Sequence, residues 1–359
     1  MLTKTLFASA TIALLAAGAS AYAANTVTAV KVTQAPKLEL GTADPAWAKA
    51  KPLAVQLSGG MNFKDGASKA LIKAVYTGDT VYFLVQYTDP TESVRRMPFV
   101  KQADGTWKKL VDPDDKGGDN NKYYEDKFAL IWNVNHSIKG FADQGCMVAC
   151  HVGEQGKPFG NKYLANAGEI GDIWHMKSIR TGYIGQADDQ YLDSTPFDKD
   201  KSPEAGRKSD AKAGGGYTDM KLIGGKPEFM HKSGLPARAN APVKVAAAGP
   251  AKVIAPGTTY YLKDEDKVAF DDSKFKPGDE VASIVVAPFS GDRGDIAASI
   301  KWQSGKWTAV LARKLVTGSP YDVQFDKLDA TYDFGVAAFD NAQVRHAYNM
   351  GALHLKFAK

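Results

Sequence analysis

Between Lys69 and Asp89 the chain repeats with a period of two residues. Leu71, Lys73 and Val75 fall on one side and Ile72, Ala74 and Tyr76 on the other; Val81, Phe83, Val85 and Tyr87 resume the pattern after Gly78-Asp79. A helix needs a period near 3.6, so only a pleated strand places these residues consistently, and Gly-Asp suits the tight turn of a hairpin. Similar runs rich in Val, Ile, Tyr, Phe and Trp recur at 127–132, 280–288, 297–302, 306–312, 331–339 and 352–357. This vocabulary predicts a mainly β fold, an antiparallel β-sandwich.

The runs form two groups, about 30–133 and 255–359, and neither looks complete alone. One sandwich closed by both, a single domain over 24–359, is the expected organisation. The intervening region, about 135–255, is richer in Gly, Pro, Lys and Asp and reads as a loop-rich, partly helical insertion. Within it, 237–256 is an Ala/Pro/Val/Lys-rich linker or extended arm.

Residues 1–23 read as a signal peptide: Lys4 precedes the apolar run 6–17, and Ala21-Tyr22-Ala23 offers a small-x-small cleavage site. Export to the periplasm is therefore expected, and no later stretch approaches the ~20 apolar residues of a membrane span. Lys and Arg total 45 against 40 Asp and Glu, an excess too small and too scattered to point to nucleic acid. An exported chain is free to build many disulfides, yet this one has 2 cysteines, and both lie in one short segment.

That segment is Cys146-Met147-Val148-Ala149-Cys150-His151. Two thiols can add across the two vinyl groups of a haem while the next imidazole reaches the iron, so one stretch of chain fixes the porphyrin. One covalently bound haem c is the expected cofactor, with His151 as an axial ligand. The spacer holds three residues where the common motif has two. A strained local disulfide, or a metal site completed by a distant fourth ligand, are the alternative chemistries.

The sixth ligand decides function, because a filled site makes an electron carrier and an open one binds small ligands. Beyond His151 the histidines are His136, His175, His231, His346 and His354. In Trp174-His175-Met176-Lys177, His175 offers a ligand, Trp174 a stacking surface, and Lys177 or nearby Arg180 a partner for haem carboxylates. Pro227-Glu228-Phe229-Met230-His231-Lys232 places three ligand types in a row.

Asp172-Ile173-Trp174-His175-Met176-Lys177, followed by Ala187-Asp188-Asp189-Gln190-Tyr191, resembles the central pattern of the haem-binding subunits related to the γ subunit of ethylbenzene dehydrogenase. Trp47, Gln86-Tyr87-Thr88-Asp89, Gly305-Lys306-Trp307-Thr308, Ala312-Arg313-Lys314-Leu315, Phe339-Asp340 and Arg345-His346 extend the resemblance along most of the chain. It implies a β-sandwich with a haem beside or between sheets. In the molybdenum-enzyme members the haem is held non-covalently by Met and Lys, whereas this chain looks like a c-type relative. The resemblance carries the later ligand to Met230, with Lys232 next and His175 and His231 as rivals.

The expected function is that of a periplasmic monohaem c-type cytochrome passing single electrons between redox protein partners, not an enzyme in its own right. A haem subunit of a periplasmic molybdenum oxidoreductase, a haem-based gas sensor and a haem-free carbohydrate-binding sandwich are the alternatives.

Overall fold

The computed structural model describes residues 25–40, 44–115, 118–150, 162–238 and 257–359. Its frame is one large sheet built from β1 (Thr26–Lys31), β2 (Leu53–Leu57), β3 (Ser68–Tyr76), β4 (Thr80–Thr88), β5 (Lys127–Asn133), β6 (Gly171–Lys177), β7 (Asp188–Leu192), β8 (Arg207–Ser209), β9 (Ala297–Trp302), β10 (Lys306–Lys314), β11 (Thr331–Phe339), β12 (Ala347–Tyr348) and β13 (Leu353–Phe357). The strand order is β8-β7-β6-β5-β11-β13-β1-β3-β4-β10-β9, with β2 added on β3 and β12 on β11. Early and late strands are therefore neighbours: β1 lies between β13 and β3, and β4 pairs with β10.

The sheet folds back on itself. Ala298 donates its N–H to Gly185 O at 2.8 Å and Ala187 to Ile296 O at 3.0 Å, so β9 meets the chain entering β7. Enclosed between the two halves is the main core, where Phe83 of β4 packs against Trp132 of β5 and Trp174 of β6 at ring separations of 5.6 Å. Phe325 and Phe334 close on Trp132 at 5.2 and 4.8 Å. Burying aromatic side chains of this size supplies the largest hydrophobic stabilisation per residue.

The predicted hairpin forms with Thr77 N–H bonded to Thr80 O at 2.9 Å, and the other predicted runs all contribute strands. The segment 135–255 departs from the expectation of a loop-rich insertion, since β6, β7 and β8 belong to the main sheet. Every residue of β6 is buried, so its sequence lacks the polar–apolar alternation that marks a half-exposed strand. The helical part is small: Phe141–Gln144 and the 3-10 turn Gly145–Val148 follow β5. Smaller sheets cover one side, among them Gly214–Asp219 with Ile284–Ser290, and Phe229–His231 with Lys267–Ala269. The expected signal peptide, His151 and residues 239–256 of the Ala/Pro-rich arm lie outside the described residues.

Where β4, β5 and β11 converge, Asp89, Asp126 and Asp340 are buried together. Burial, followed by the neighbouring Asp340 carboxylate, pushes Asp89 up to about 8. Burial, followed by Asp89, lifts Asp126 well above the carboxylate range. A carboxyl that keeps its proton when folded and loses it near pH 4 when unfolded lowers stability as pH rises, here between about 4 and about 8. Asp89→Asn, which fixes the neutral form, should raise the melting temperature at pH 8 and leave it nearly unchanged at pH 4.5, as read by circular dichroism. An equal effect at both pH values would refute the assignment.

Candidate functional site

Strand pleating sends alternate residues of β5, β6 and β11 to opposite faces. The inward set is the aromatic core just described. On the outer face, the register aligns Gly335, Ile131 and Ile173 in one row, Ala337, Ala129 and His175 in the next, and Phe339, Lys127 and Lys177 in the third. Leu192 and Gln190 extend this face on β7, and Arg207 on β8. The face thus runs from an apolar end, through a histidine, to a cationic end. A cleft lies over it, with an apolar part lined by Cys146, Cys150, Ile131, Ile173 and Leu192, and a polar part lined by Lys127, Lys177, Arg180 and Tyr217. Lys162, His175, Arg207, Gln343 and Val344 border both.

The apolar end holds the two cysteines as free thiols, not as a disulfide. Cys146 packs with Ile131, Ile138, Phe141, Ala149 and Ile173, with Cys150 at the margin of the same cluster. Burial pushes the Cys146 thiol up to about 12 and that of Cys150 to about 11. These are protonated, apolar thiols, unsuited to nucleophilic catalysis as thiolates. Two glycines make the placement possible. A Cβ on Gly335 would lie 2.4 Å from Cys146 Sγ, and one on Gly145, whose φ is +57°, would lie 2.2 Å from Gly351 O.

His175 stands between the two ends, 5% exposed. Its Nδ1 lies 3.0 Å from Gln190 Oε1, and Gln190 Nε2 in turn donates to Ser209 Oγ at 3.1 Å. An amide oxygen only accepts, so Nδ1 carries the proton and Nε2 keeps its lone pair. That Nε2 is buried and has no hydrogen-bond partner among the described residues. Burial, followed by Lys177 and Lys127, lowers its pKa well below the usual imidazole value, so the ring is neutral. A neutral imidazole with its tautomer set by an outer hydrogen bond and its second nitrogen unpaired is the form that ligates a metal.

At the cationic end, Lys177 is ion-paired with Asp188, which Arg293 Nε also contacts at 2.6 Å, and Tyr217 Oη bonds Asp188 Oδ2 at 2.9 Å. Burial opposes ionisation of Asp188, but Lys177 and Arg293 outweigh it and hold the carboxyl well below its usual range. Arg180 pairs with the buried Glu125. Lys127 donates to Gln343 O at 2.7 Å and lies 4.0 Å from the Phe339 ring centroid. Burial, followed by Arg180, lowers its pKa well below the usual lysine value.

The structure brings Cys146, Cys150, His175 and Lys177 to one cleft and separates the other candidates from it. Trp174 belongs to the inner face: it is fully buried in the core and donates Nε1–H to Asp172 at 3.1 Å, so it offers the cleft no stacking surface. Strand parity alone excludes Trp174, since its neighbour His175 faces outward. Met230 also departs from expectation. It packs with Phe99, Trp107, Leu262 and Phe275 in a separate hydrophobic cluster under a small sheet. Lys232 is paired with Asp266 at 2.7 Å, and His231 bonds Ser233 Oγ at 2.8 Å. None of the three lines the cleft. Phe339, Gln343, His346 and Tyr348, from β11 and the chain after it, do line it and were not read as site residues. Their only sequence signal was the family-like pair Phe339-Asp340 and Arg345-His346.

A family model described as "Ethylbenzene dehydrogenase" matches residues 44–351. Compared with curated protein sequences, the chain has no match. Two solved structures of a carbohydrate binding module family 9 from Caldicellulosiruptor kristjanssonii are similar at 7% identity. The complex with cellotriose aligns over 92% of this chain and 93% of that one with a TM-score of 0.33. The complex with glucose aligns over 93% and 95% with a TM-score of 0.32, and at such scores the likeness bears on neither fold nor ligand.

The Gly335 contact is open to direct test. Overpacking a filled site costs about 1–3 kcal/mol, so Gly335→Ala should lower the melting temperature by several degrees through displacement of Cys146. Ala337→Gly in the next row makes no such clash; equal losses in the two variants, by calorimetry, would show that the Cys146 contact is unimportant.

Proposed function

The chain belongs to the ethylbenzene dehydrogenase family, and from that premise we propose that it carries one covalently attached haem c in the outer-face cleft and transfers single electrons. The observation that carries this reading is the buried, unpartnered Nε2 of His175 in the same cleft as both cysteines. The donor set fits the group. Two thiols on an apolar wall suit thioether attachment, and a neutral imidazole suits haem iron. Lys177, Arg180 and Arg207 suit a group with carboxylates at its opposite end. His151, adjacent in sequence to Cys150, and His175 in the cleft would hold the iron. When bound, such a haem supplies a one-electron couple.

The chain's own residues would then set the conditions for transfer. Gln190 fixes the His175 tautomer. Ile131, Ile173 and Leu192 keep water from the thiol end. Phe339, between His175 and His346 at ring separations of 5.7 and 4.7 Å, holds the imidazole in place. If His151 and His175 both hold the group, a carrier is favoured over an enzyme or a gas sensor. Family membership favours redox proteins as partners, including the catalytic subunit of a larger oxidoreductase. No helix among the described residues is long and apolar enough to cross a membrane. The proposed site of action is the periplasm, favoured by the signal-peptide reading of residues 1–23 and by the proposed covalent haem attachment.

Haem staining after denaturing electrophoresis should detect a covalent adduct in the purified protein, and Cys146→Ser with Cys150→Ser should remove it. In the intact protein a six-coordinate spectrum should resist carbon monoxide. His175→Ala should open the iron to it, while Met230→Ala should leave the coordination spectrum unchanged. Absence of covalent haem overturns the proposal, and an unaltered spectrum in His175→Ala overturns the ligand assignment.

A further inference from the structure

The inner side of β6 and β7 carries a second assembly that the cleft does not use. Asp172 and Asp189 point away from His175 and Gln190, their neighbours on the outer face, and meet Asp210 just past β8, Asp295 just before β9 and Asp322 in the connection after β10. Oxygens of Asp189, Asp210 and Asp322 lie within 4.8 Å of one another, and all three residues are buried. The one cation among them is Arg313 of β10, whose Nη1 contacts Asp172 at 2.8 Å and lies 3.6 Å from Asp322 and 3.8 Å from Asp189.

The hydrogen-bond inventory shows where charge is answered and where it is not. Asp172 Oδ2 accepts from Arg313, Trp174 Nε1 and the Val323 N–H, and Asp322 Oδ2 accepts from Thr317 Oγ1. Both oxygens of Asp189, both of Asp210, and Oδ1 of Asp172, Asp295 and Asp322 are buried without any donor among the described residues. Asp189 is fully buried with neither oxygen served. The nearest groups to several of these atoms are other carboxyls, Asp210 against Asp322 and Asp295 against Asp189. Burying unserved carboxylates is costly unless a cation or shared protons compensate them. The Asp89–Asp126–Asp340 group is different in kind. Thr91, Ser93, Asn341 and Trp307 serve its oxygens, and among the described residues Asp89 Oδ2 is the only buried oxygen of the group without a donor.

We propose that Asp189, Asp210 and Asp322 form a structural calcium site that fastens β7, the segment after β8 and the connection after β10 behind the haem cleft. Two oxygens on one Ca2+ lie at most about 5 Å apart, twice the 2.3–2.6 Å bond length, and the observed grouping satisfies this. A pocket made of several protein carboxylates also suits calcium better than magnesium, which retains most of its water. The site lies one peptide away from Asp188 and Gln190, which hold Lys177 and His175 on the other face. Its occupancy would stiffen β7 without touching the cofactor.

The test uses the full-length holoprotein, with calcium chloride and magnesium chloride as the probes. After removal of free metal, mass spectrometry should find about one calcium per chain. Calcium, but not magnesium at the same concentration, should raise the melting temperature above that in EDTA by several degrees. Asp210→Asn keeps the shape and removes one negative charge, so it should melt higher than the wild type in EDTA yet lose the calcium increment and bind calcium at least about tenfold more weakly. Asp89→Asn should bind calcium like the wild type. If the wild type binds no calcium, the cluster is held by shared protons and the proposal fails. It fails equally if Asp210→Asn binds calcium unchanged, or if Asp89→Asn abolishes binding. Haem content is measured in parallel and is expected to stay constant, so the outcome is independent of the cofactor reading.

Discussion

The strand Gly171–Lys177 is covered on both faces, and the pleat that alternates its side chains organises everything around it. Asp172, Trp174 and Met176 turn inward; Ile173, His175 and Lys177 turn outward. Inward, Trp174 locks to Trp132 and Phe83, and Asp172 meets Arg313 in an ion pair with no exposed atoms on either side chain. Removing one partner of such a pair typically costs about 3–5 kcal/mol, because the other charge stays buried alone. The outward residues can face a cleft because the inward ones leave the strand no freedom to shift. A slip of one residue would exchange the two faces entirely.

This arrangement separates opposite charges by one thickness of sheet. Lys177, Arg180 and Arg207 border the cleft, whereas Asp172, Asp189, Asp210, Asp295 and Asp322 gather behind it. Asp188 is the exception, lying on the cleft side, where it neutralises Lys177 and Arg293. The cleft therefore grades from protonated thiols in an apolar wall to a band of cations within three rows of one sheet. An amphipathic planar cofactor with carboxylates at one edge matches that gradient, and a uniformly polar substrate does not. The proposed cofactor site and the proposed cation site therefore lie on opposite sides of the same strands.

Legibility in the sequence followed solvent exposure. β3 and β4 alternate plainly because one face of each is less buried, and their hairpin was readable down to the turn. β6 was hidden inside what read as an insertion because both of its faces are covered, so polar and apolar residues carry no side-specific pattern. The cysteines were legible because their chemistry is local. The residue across the cleft was legible only as one rival among several: the resemblance put Met230 ahead of His175, yet Met230 packs beneath a small sheet, while the pairing of β5 with β6 brings His175 into the cleft that the thiols line. Trp174 and His175 were read as one cluster although adjacent strand residues face opposite ways.

Two things follow from the chain's order alone: a pleated, mainly antiparallel architecture, from which β1 departs by running parallel to both β13 and β3, and a thiol pair confined to one short turn. Both rest on interactions between residues a few positions apart, the alternation of side chains and the reach of a single segment. Which imidazole faces that turn, which lysine remains for its far edge and which carboxylates crowd behind it were settled only when β5, β6, β7 and β11 took their register. Residues distant in sequence meet in that register, as Lys127 does with Phe339, and no local pattern encodes such a pairing. Long-range pairing decides it, because each backbone hydrogen bond that sets the register also fixes the face on which every side chain emerges.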